Sequence, residues 1–293
     1  MVNLTNTKLK IMRAILFPTD FSDIANNAFL YALHIAKSID AKIYVLYTYL
    51  EPVLSATHGG QPELLGEVYQ TIELNQFEVY KKKTQKLRDI ANNEGMQDVE
   101  LIFLFEEGPV APVVKNIVER EKIHIVVMGT HGESGFLSKL IGTNTVNVIK
   151  SIHNPVLAVP PHAKYQGIKR TVFTTLFRDK DKDALKEMLL MARAVGAKIE
   201  CLHVLHNNKV ADVILQTETW QNEFPEEDLN YVLLDEVESI ENTIANYILE
   251  NNIDILGVVK RNRSFFDRLF NSSISNNLTL HSKVPILVFH EEK

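Results

Sequence analysis

The sequence has little of several features on which whole classes of protein depend. One cysteine, Cys201, is present in 293 residues, which excludes an intrachain disulfide and a Cys-x-x-Cys metal or redox site. No apolar run is long enough to span a bilayer, and the first residues lack the apolar stretch of a signal peptide. The net charge of −6 gives no basic excess for binding nucleic acid or an anionic membrane. We therefore expect a cytoplasmic, globular protein with a buried thiol and with neither nucleic-acid nor membrane partners.

Familiar motifs of nucleotide chemistry and of hydrolysis are missing as well. The sequence contains neither Gly-x-Gly-x-x-Gly nor the Walker A pattern, and it has no Gly-x-Ser-x-Gly or His-x-x-x-His. The Ser-Gly-Gly-x-Asp-Ser motif of an ATP-cleaving family with similar sheets is also absent, because Pro18-Thr19-Asp20 stands after the first predicted strand. These absences argue against adenylyl transfer, and no catalytic residue is predicted.

What the sequence does contain is a cluster of glycines between an apolar run and a helical pattern. Four of the 12 glycines make up this cluster: Gly129, Gly132, Gly135 and Gly142. Residues 123–128 ahead of it predict a buried strand, and residues 144–151 behind it have helical spacing. A strand, a glycine-rich loop and a helix in this order present backbone N–H groups and the positive end of a helix dipole to an anion. The alternative is an ordinary turn that uses glycine for its backbone freedom.

The first half of the chain alternates between strand and helix patterns. We predict strands at residues 14–17, 43–47, 99–105, 123–128 and 154–159, and helices at residues 22–36, 67–93, 110–120 and 144–151. Residues 50–66, rich in glycine and proline, are predicted to be a long connection. Five strands alternating with four helices indicate an α/β fold with an open parallel sheet covered on both faces. Such sheets bind ligands beyond the carboxyl ends of the strands, where the strand order reverses.

The second half of the chain repeats the first. Residues 41–43 and 197–199 both read Ala-Lys-Ile, which gives an offset of 156. Farther along, Ile102 aligns with Val232 at an offset of 130. The change of offset indicates that the second half has a deletion in the region of its second helix. There, residues 209–225 replace the long loop and helix of the first half.

The glycine-rich segment also has a spacing that can be compared with known families. Residues 126–132 read Val-Val-Met-Gly-Thr-His-Gly, and Gly142-Thr143 follows after nine residues. Together with Pro18-Thr19-Asp20, this spacing resembles the nucleotide-binding signature of the universal stress protein family. The resemblance implies two tandem Rossmann-like units of the adenine nucleotide alpha hydrolase-like type, each an open five-stranded parallel sheet of order 3-2-1-4-5. In that order the crevice lies between the first and fourth strands, so that Asp20 is opposite the glycine-rich loop.

The resemblance implies a site for ATP, or for AMP or ADP, with Mg²⁺ accompanying ATP. The residues that match the family's nucleotide-binding positions are Pro18, Thr19, Asp20, Thr48, Met128, Gly129, His131, Gly132, Gly142, Thr143 and Asn144. In the family's pattern the aspartate reaches the ribose, the backbone at the position of Thr48 contacts the adenine, and the residue at the position of Met128 lies near the base. The loop residues and Thr143 surround the ribose and phosphates. An Asx turn or a helix cap is the alternative role for Asp20.

The second half lacks the residues that carry this resemblance. Asp20, Gly129, Gly132 and Gly142 correspond to Leu176, Val259, Asn262 and Ser272. We therefore predict two domains, residues 1–163 and 168–293, of which the second is degenerate and binds no nucleotide in the family's manner. The basic cluster at residues 260–263 (Lys-Arg-Asn-Arg) is either solvated surface or a site for another anionic ligand or for an acidic segment of a partner.

The function that the resemblance implies is nucleotide-dependent binding and signalling in a stress response. Nucleotide occupancy would order the loop, and an unknown protein partner would recognise the change. One alternative is slow ATP hydrolysis or autophosphorylation at Thr143, Ser134 or Ser138, and another is a nucleotide-free scaffold. The resemblance also implies that the fifth strands, residues 156–159 and 286–289, pair antiparallel as a pseudo-dimer within the chain, which would cover two exposed edges, with a further homodimer left open.

Overall fold

The computed structural model describes residues 14–50, 62–130, 142–205, 210–225, 229–261 and 283–291. The described residues of the first half form β1 (Ala14–Pro18), α1 (Asp23–Ile39), β2 (Lys42–Tyr49), α2 (Pro62–Asn93), β3 (Leu101–Glu107), α3 (Val110–Arg120), β4 (Ile125–Gly129), α4 (Thr143–Ser151) and β5 (Val156–Val159). Those of the second half form β6 (Arg170–Thr174), α5 (Lys182–Val195), β7 (Lys198–Leu205), α6 (Val210–Glu223), β8 (Leu229–Asp235), α7 (Ile240–Glu250), β9 (Ile255–Lys260) and β10 (Ile286–His290).

All of these strands belong to one ten-stranded sheet with the order β3-β2-β1-β4-β5-β10-β9-β6-β7-β8. Neighbouring strands within each half are parallel, and each half has the order 3-2-1-4-5 when its strands are numbered from its own start. The halves meet at β5 and β10, which pair antiparallel with Leu157 opposite Leu287. The predicted α/β fold and the predicted pairing of the fifth strands are therefore confirmed. The sheet is larger than either unit because this pairing joins them.

The first strand lies in the core of the first half. It is buried along its whole length, because helices cover both faces of the sheet. Ile15 and Phe17 belong to one apolar cluster and Ala14 and Leu16 to the other, as expected when side chains alternate between the two faces. Phe17 packs on Phe29 of α1 with ring centroids 5.2 Å apart, and burial of such a side chain contributes about 1.5–3 kcal/mol. This packing fixes the position of the carboxyl end of β1.

The second helix begins earlier than the sequence predicted. Residues 62–66, which were assigned to a long connection, belong to α2. Pro62 suits the first turn of a helix because its missing N–H has no acceptor there. The counterpart α6 has 14 residues against 32 in α2, which confirms the predicted shortening of this region.

None of the helices in the described ranges is long and apolar enough to cross a membrane.

The predicted alignment of Ile102 with Val232 is wrong by two residues. In the first half Ile102 pairs with Tyr44, and at the same place in the second half Asn230 pairs with Glu200. The counterpart of Ile102 is therefore Asn230. The connection between β8 and α7 has four residues where that between β3 and α3 has two, so that the offset of 130 holds only from α7 onward.

Residues 12–162 expressed alone should form a homodimer. The fragment leaves the apolar strand β5 as an open edge, which a second copy would cover in the way that β10 does in the full chain. Light scattering after size exclusion measures the mass, with the full chain as the reference. A folded fragment that stays monomeric at high concentration would contradict this role of the β5 edge.

Candidate functional site

A cavity of about 450 Å³ opens at the carboxyl ends of β1, β2 and β4, where the strand order of the first half reverses. The described residues that line it are Pro18, Thr19, Asp20, Ala25, Leu46, Tyr47, Thr48, Val110, Met128, Gly129, Thr130, Gly142, Thr143, Asn144 and Thr145. They include every predicted nucleotide-binding residue that the structure describes, whereas His131 and Gly132 lie outside the described residues. The fold thus brings the predicted segments together around one cavity, and their role in binding stays a prediction.

One wall of the cavity is the tight turn between β1 and α1. Phe21 N donates to Thr19 Oγ1 at 2.9 Å, and Ser22 N donates to Asp20 Oδ1 at 3.0 Å. Phe21 has a φ of 62°, which costs a residue other than glycine roughly 1–2 kcal/mol. Burial of its ring against Tyr47, with ring centroids 5.5 Å apart, offsets this strain. The turn fixes Asp20 in the cavity wall, and the Asx-type contact considered as its alternative role is present too.

The opposite wall is formed by the end of β4 and the start of α4. Gly129 ends β4 where α1 passes close by, since a Cβ there would meet Ile24 Cγ2 at 3.2 Å and the Ile24 carbonyl oxygen at 3.4 Å. Thr145 Oγ1 donates to the Gly129 carbonyl at 3.0 Å, and Gly142 N donates to the Thr130 carbonyl. These bonds tie α4 to the strand. The close packing of α1 on the end of β4 therefore favours glycine at position 129, whether or not a ligand binds beside it.

Helix α4 presents its amino end to the cavity. Gly142 is the N-cap residue, and Val146 N donates to its carbonyl at 3.2 Å. The N–H groups of Thr143, Asn144 and Thr145 precede that bond and have no acceptor within the helix. Together with the helix dipole they give this side of the cavity a positive potential, although its described lining residues include no Lys or Arg. The arrangement suits an anionic group.

Sequence reasoning missed part of the cavity wall. The residues not predicted are Ala25, Leu46, Tyr47, Val110, Thr130 and Thr145. Leu46 and Tyr47 could have been found from their place beside Thr48 at the end of the second predicted strand, and Val110 from its place at the start of a helix. No sequence signal marks Ala25, because it reaches the cavity only through the close packing of α1 on the end of β4.

The second half keeps the same turn at the end of its first strand. Phe177 N donates to Thr175 Oγ1 at 2.8 Å, and Phe177 has a φ of 52°. Leu176 stands in the place of Asp20. The left-handed aromatic residue is therefore a feature of the fold in both halves, whereas the carboxylate is present in the first half alone.

A buried ion pair between Asp181 and Arg261 lies in the crevice of the second half. Asp181 is 0% exposed and stands in the place of Ala25. It accepts hydrogen bonds from Thr175 Oγ1 at 2.9 Å, from Leu176 N at 3.2 Å and from Arg261 Nε at 3.2 Å. Burial lowers the pKa of Arg261, and the charge of Asp181 opposes that shift. Because Ala25 borders the cavity of the first half, the ion pair lies at the place in the second half that corresponds to one wall of that cavity.

The predicted basic cluster at residues 260–263 is therefore not simply a solvated surface. The side chain of Arg261 is 17% exposed and is paired with Asp181. Lys260 Nζ donates to the carbonyl of Ile149 at 3.0 Å. The interpretation as solvated surface is wrong for Arg261. Asn262 and Arg263 lie outside the described residues.

Two further side chains are buried on strand β7 of the second half. Cys201 is buried, which confirms the predicted buried thiol, and burial raises its pKa. His203 stands in the place of Tyr47 and is 8% exposed, with Nδ1 2.8 Å from the carbonyl oxygen of Thr175. Burial lowers the pKa of His203, which favours its neutral form.

Comparisons with known proteins agree with the duplicated fold. The sequence model of the universal stress protein family matches residues 12–160 and again residues 167–290. The chain belongs to the universal stress protein family. One universal stress protein of Methanocaldococcus jannaschii is 30% identical over 151 residues, 51% of this chain and 82% of that protein. A second from the same organism is 28% identical over 156 residues, 50% of this chain and 94% of that protein.

A solved structure resembles the whole chain in fold. The crystal structure of a universal stress protein from Archaeoglobus fulgidus has a TM-score of 0.65 at 18% identity and covers 96% of this chain and 99% of its own. At that identity the likeness concerns the fold alone. The tandem arrangement of two universal stress protein units therefore accounts for nearly all of the chain.

Replacement of Arg261 alone should destabilise the protein more than replacement of the whole ion pair. Arg261→Met leaves the Asp181 carboxylate buried without its cation, which costs about 3 kcal/mol, whereas Asp181→Leu combined with Arg261→Met removes both charges. Urea unfolding of the two variants and of the wild type measures the free energies. A double variant that is less stable than the single variant would contradict this account of the pair.

The free energy of unfolding should fall as the pH drops below about 6.5, in part because of His203. The folded-state pKa of His203 lies below the 6.5 of an exposed histidine, so that the unfolded chain takes up a proton which the folded chain excludes. The contribution of His203 to stability is present in full above about pH 6.5 and is lost as the pH falls towards its lower pKa in the folded state. In His203→Phe the loss between about pH 7.5 and pH 5.5 should be smaller, as urea unfolding can measure. An unchanged loss, with the exposed His162→Phe as control, would contradict the prediction.

Proposed function

We propose that this universal stress protein binds one adenine nucleotide per chain, ATP or else AMP or ADP, in the cavity of its first half. The observation that carries the proposal is the arrangement of that cavity, with the Asp20 carboxylate on one wall and the amino end of α4 on the other. The volume of about 450 Å³ lies within the range of 300–1,000 Å³ that is usual for small-molecule sites. Occupancy would then control the binding of a protein partner in a stress response.

The phosphates would lie at the amino end of α4. The N–H groups of Thr143, Asn144 and Thr145 are donors there, and the hydroxyl of Thr143 is a further one. A single helix N-terminus contributes only about 0.3–2 kcal/mol to binding an anion. ATP therefore needs additional compensation of its charge, which supports the proposal that it binds with Mg²⁺.

The metal ion would arrive with the nucleotide. Over the described ranges of the chain, no group of three or more His, Cys, Asp or Glu side chains could hold a metal ion. Mg²⁺ fits this situation, because it commonly keeps several water ligands and binds through phosphate oxygens with few protein ligands.

The base and the ribose would occupy the opposite part of the cavity. Leu46, Val110 and Met128 provide apolar surface for a purine, and the backbone at Thr48 passes beside it. The carboxylate of Asp20 can accept hydrogen bonds from ribose hydroxyls, and each such bond to a charged group contributes roughly 1.5–3 kcal/mol. Asp20 would thus distinguish a nucleoside from an inorganic anion.

The second half would bind no nucleotide in this manner. Leu176 offers no acceptor in place of Asp20, and Val259 replaces Gly129 at the end of the fourth strand. A ligand in the second crevice would also have to separate the buried Asp181–Arg261 pair, which is costly because each charge would be left in an apolar surrounding. We therefore propose a nucleotide-binding domain at residues 1–163 and a degenerate domain at residues 168–293.

Binding rather than turnover is the activity that we propose. Among the described lining residues Asp20 is the only carboxylate, and its Oδ1 accepts the Ser22 N–H in the turn. It belongs to the wall that we assign to the ribose, away from the amino end of α4 where the phosphates would lie.

A cytoplasmic location and a further homodimer stay predictions.

Isothermal titration calorimetry with MgATP should give one equivalent bound per chain. Asp20→Ala should raise the Kd about 10-fold or more, because it removes an acceptor for the ribose. Leu176→Ala changes the matching position of the second half and is the control that should leave the Kd unaltered. Two equivalents per chain, or equal effects of the two variants, would contradict the proposal, and phosphate release in the same samples would reveal hydrolysis.

A further inference from the structure

Helix α4 connects the cavity of the first half with the second half of the chain. It contains nine residues and is therefore about 13 Å long. Its amino end borders the cavity at Gly142 and Thr143. The carbonyl of Ile149 lies near its other end, where the last backbone carbonyl groups find no N–H donor within the helix.

Two side chains of the second half donate to the carbonyl of Ile149. It accepts hydrogen bonds from Lys260 Nζ at 3.0 Å and from His290 Nε2 at 2.7 Å. Lys260 ends β9 and His290 ends β10, so that two neighbouring strands of the other half supply the donors. An ammonium group at the carboxyl end of a helix is favourable also because it faces the negative end of the dipole.

The same pair of donors is lacking in the first half. At the offset of 130, Lys260 corresponds to Thr130 and His290 to Pro160. Proline has no side-chain donor, and the hydroxyl of threonine is several atoms shorter in reach than the lysine ammonium. These two side-chain donors are therefore particular to the ends of β9 and β10 and have no counterpart at the matching positions of the first half.

Lys260 is itself held in place by its surroundings. Burial lowers its pKa, and the residue that follows it, Arg261, is fixed by the buried pair with Asp181. Asp181 is the N-cap residue of α5. A continuous series of contacts thus runs from α5 through Asp181, Arg261 and Lys260 to the carboxyl end of α4.

We propose that Lys260 and His290 are positioning residues for the nucleotide site of the first half. By fixing the carboxyl end of α4 they fix the direction in which its amino end meets the cavity. The second half, with its buried Asp181–Arg261 pair, would then serve as a rigid support for the site in the first half. This inference rests on the proposed function for its effect on ATP, but not for its effect on the helix.

The test compares variants that remove the donors with variants that keep them. Lys260→Met and His290→Phe, singly and together, keep the approximate volume and remove the hydrogen bonds. Lys260→Arg and His290→Gln keep a donor at each position. Lys198→Met, at an exposed lysine of the second half, is the matched control.

Two measurements are made on each full-length variant. Hydrogen exchange followed by mass spectrometry reports the opening of α4 in the absence of nucleotide, and calorimetry reports the Kd of MgATP. We expect exchange in α4 to be about 5-fold faster, and the Kd about 5-fold higher, in the variants without donors. Lys260→Arg, His290→Gln and the control should stay close to the wild type.

Exchange in α4 that is unchanged by Lys260→Met and His290→Phe would overturn the inference. It would also be overturned if Lys260→Arg and His290→Gln were as impaired as the variants without donors, since packing and not hydrogen bonding would then be responsible. If the double variant does not fold, the comparison of Lys260→Met with Lys260→Arg decides. If the wild type binds no ATP, the proposed function fails, and the exchange data alone decide for or against the support of α4.

Discussion

The reversal of strand order at the first strand of each half is the constraint on which the rest of the structure depends. Because β1 pairs with β2 on one side and with β4 on the other, the connections that leave these strands diverge and a crevice opens between them. In the first half two small residues, Ala25 and Gly129, line that crevice, and Gly129 leaves room for the close approach of α1. The second half has the same reversal at β6, and there the buried Asp181–Arg261 pair lies at the place that corresponds to Ala25.

The two halves therefore share a scaffold and differ in the side chains at its crevice. The left-handed residue of the first turn is aromatic in both, Phe21 and Phe177, and each packs against the aromatic or imidazole ring at the end of the second strand. The antiparallel pairing of β5 with β10 leaves neither of these strands as an exposed edge, which is a reason to retain both units. Whether or not it binds a ligand, the second unit covers that edge and donates two hydrogen bonds to the carboxyl end of α4.

The sequence was sufficient to predict the fold because its signals are local and repeated. Strand and helix patterns alternate, and the parallel order then brings Asp20 and the glycine-rich segment to one crevice. The Asp181–Arg261 pair could not be predicted, since its members are 80 residues apart and Arg261 stands among other basic residues. The register of β8 was misjudged because a two-residue insertion before α7 restores the offset and conceals the shift. The contribution of Ala25 depends on helix packing, which periodicity alone does not reveal.

The central claim is that one crevice of the duplicated fold is open to a nucleotide and that the other is closed by the chain itself. A crystal structure of the full chain grown with a non-hydrolysable ATP analogue and Mg²⁺ tests this claim most directly. The account predicts density for the analogue between Asp20 and the amino end of α4, with the Asp181–Arg261 pair intact in the other half. Density for the analogue in the second crevice with that pair separated, or no density in the first cavity at saturating analogue, would contradict it.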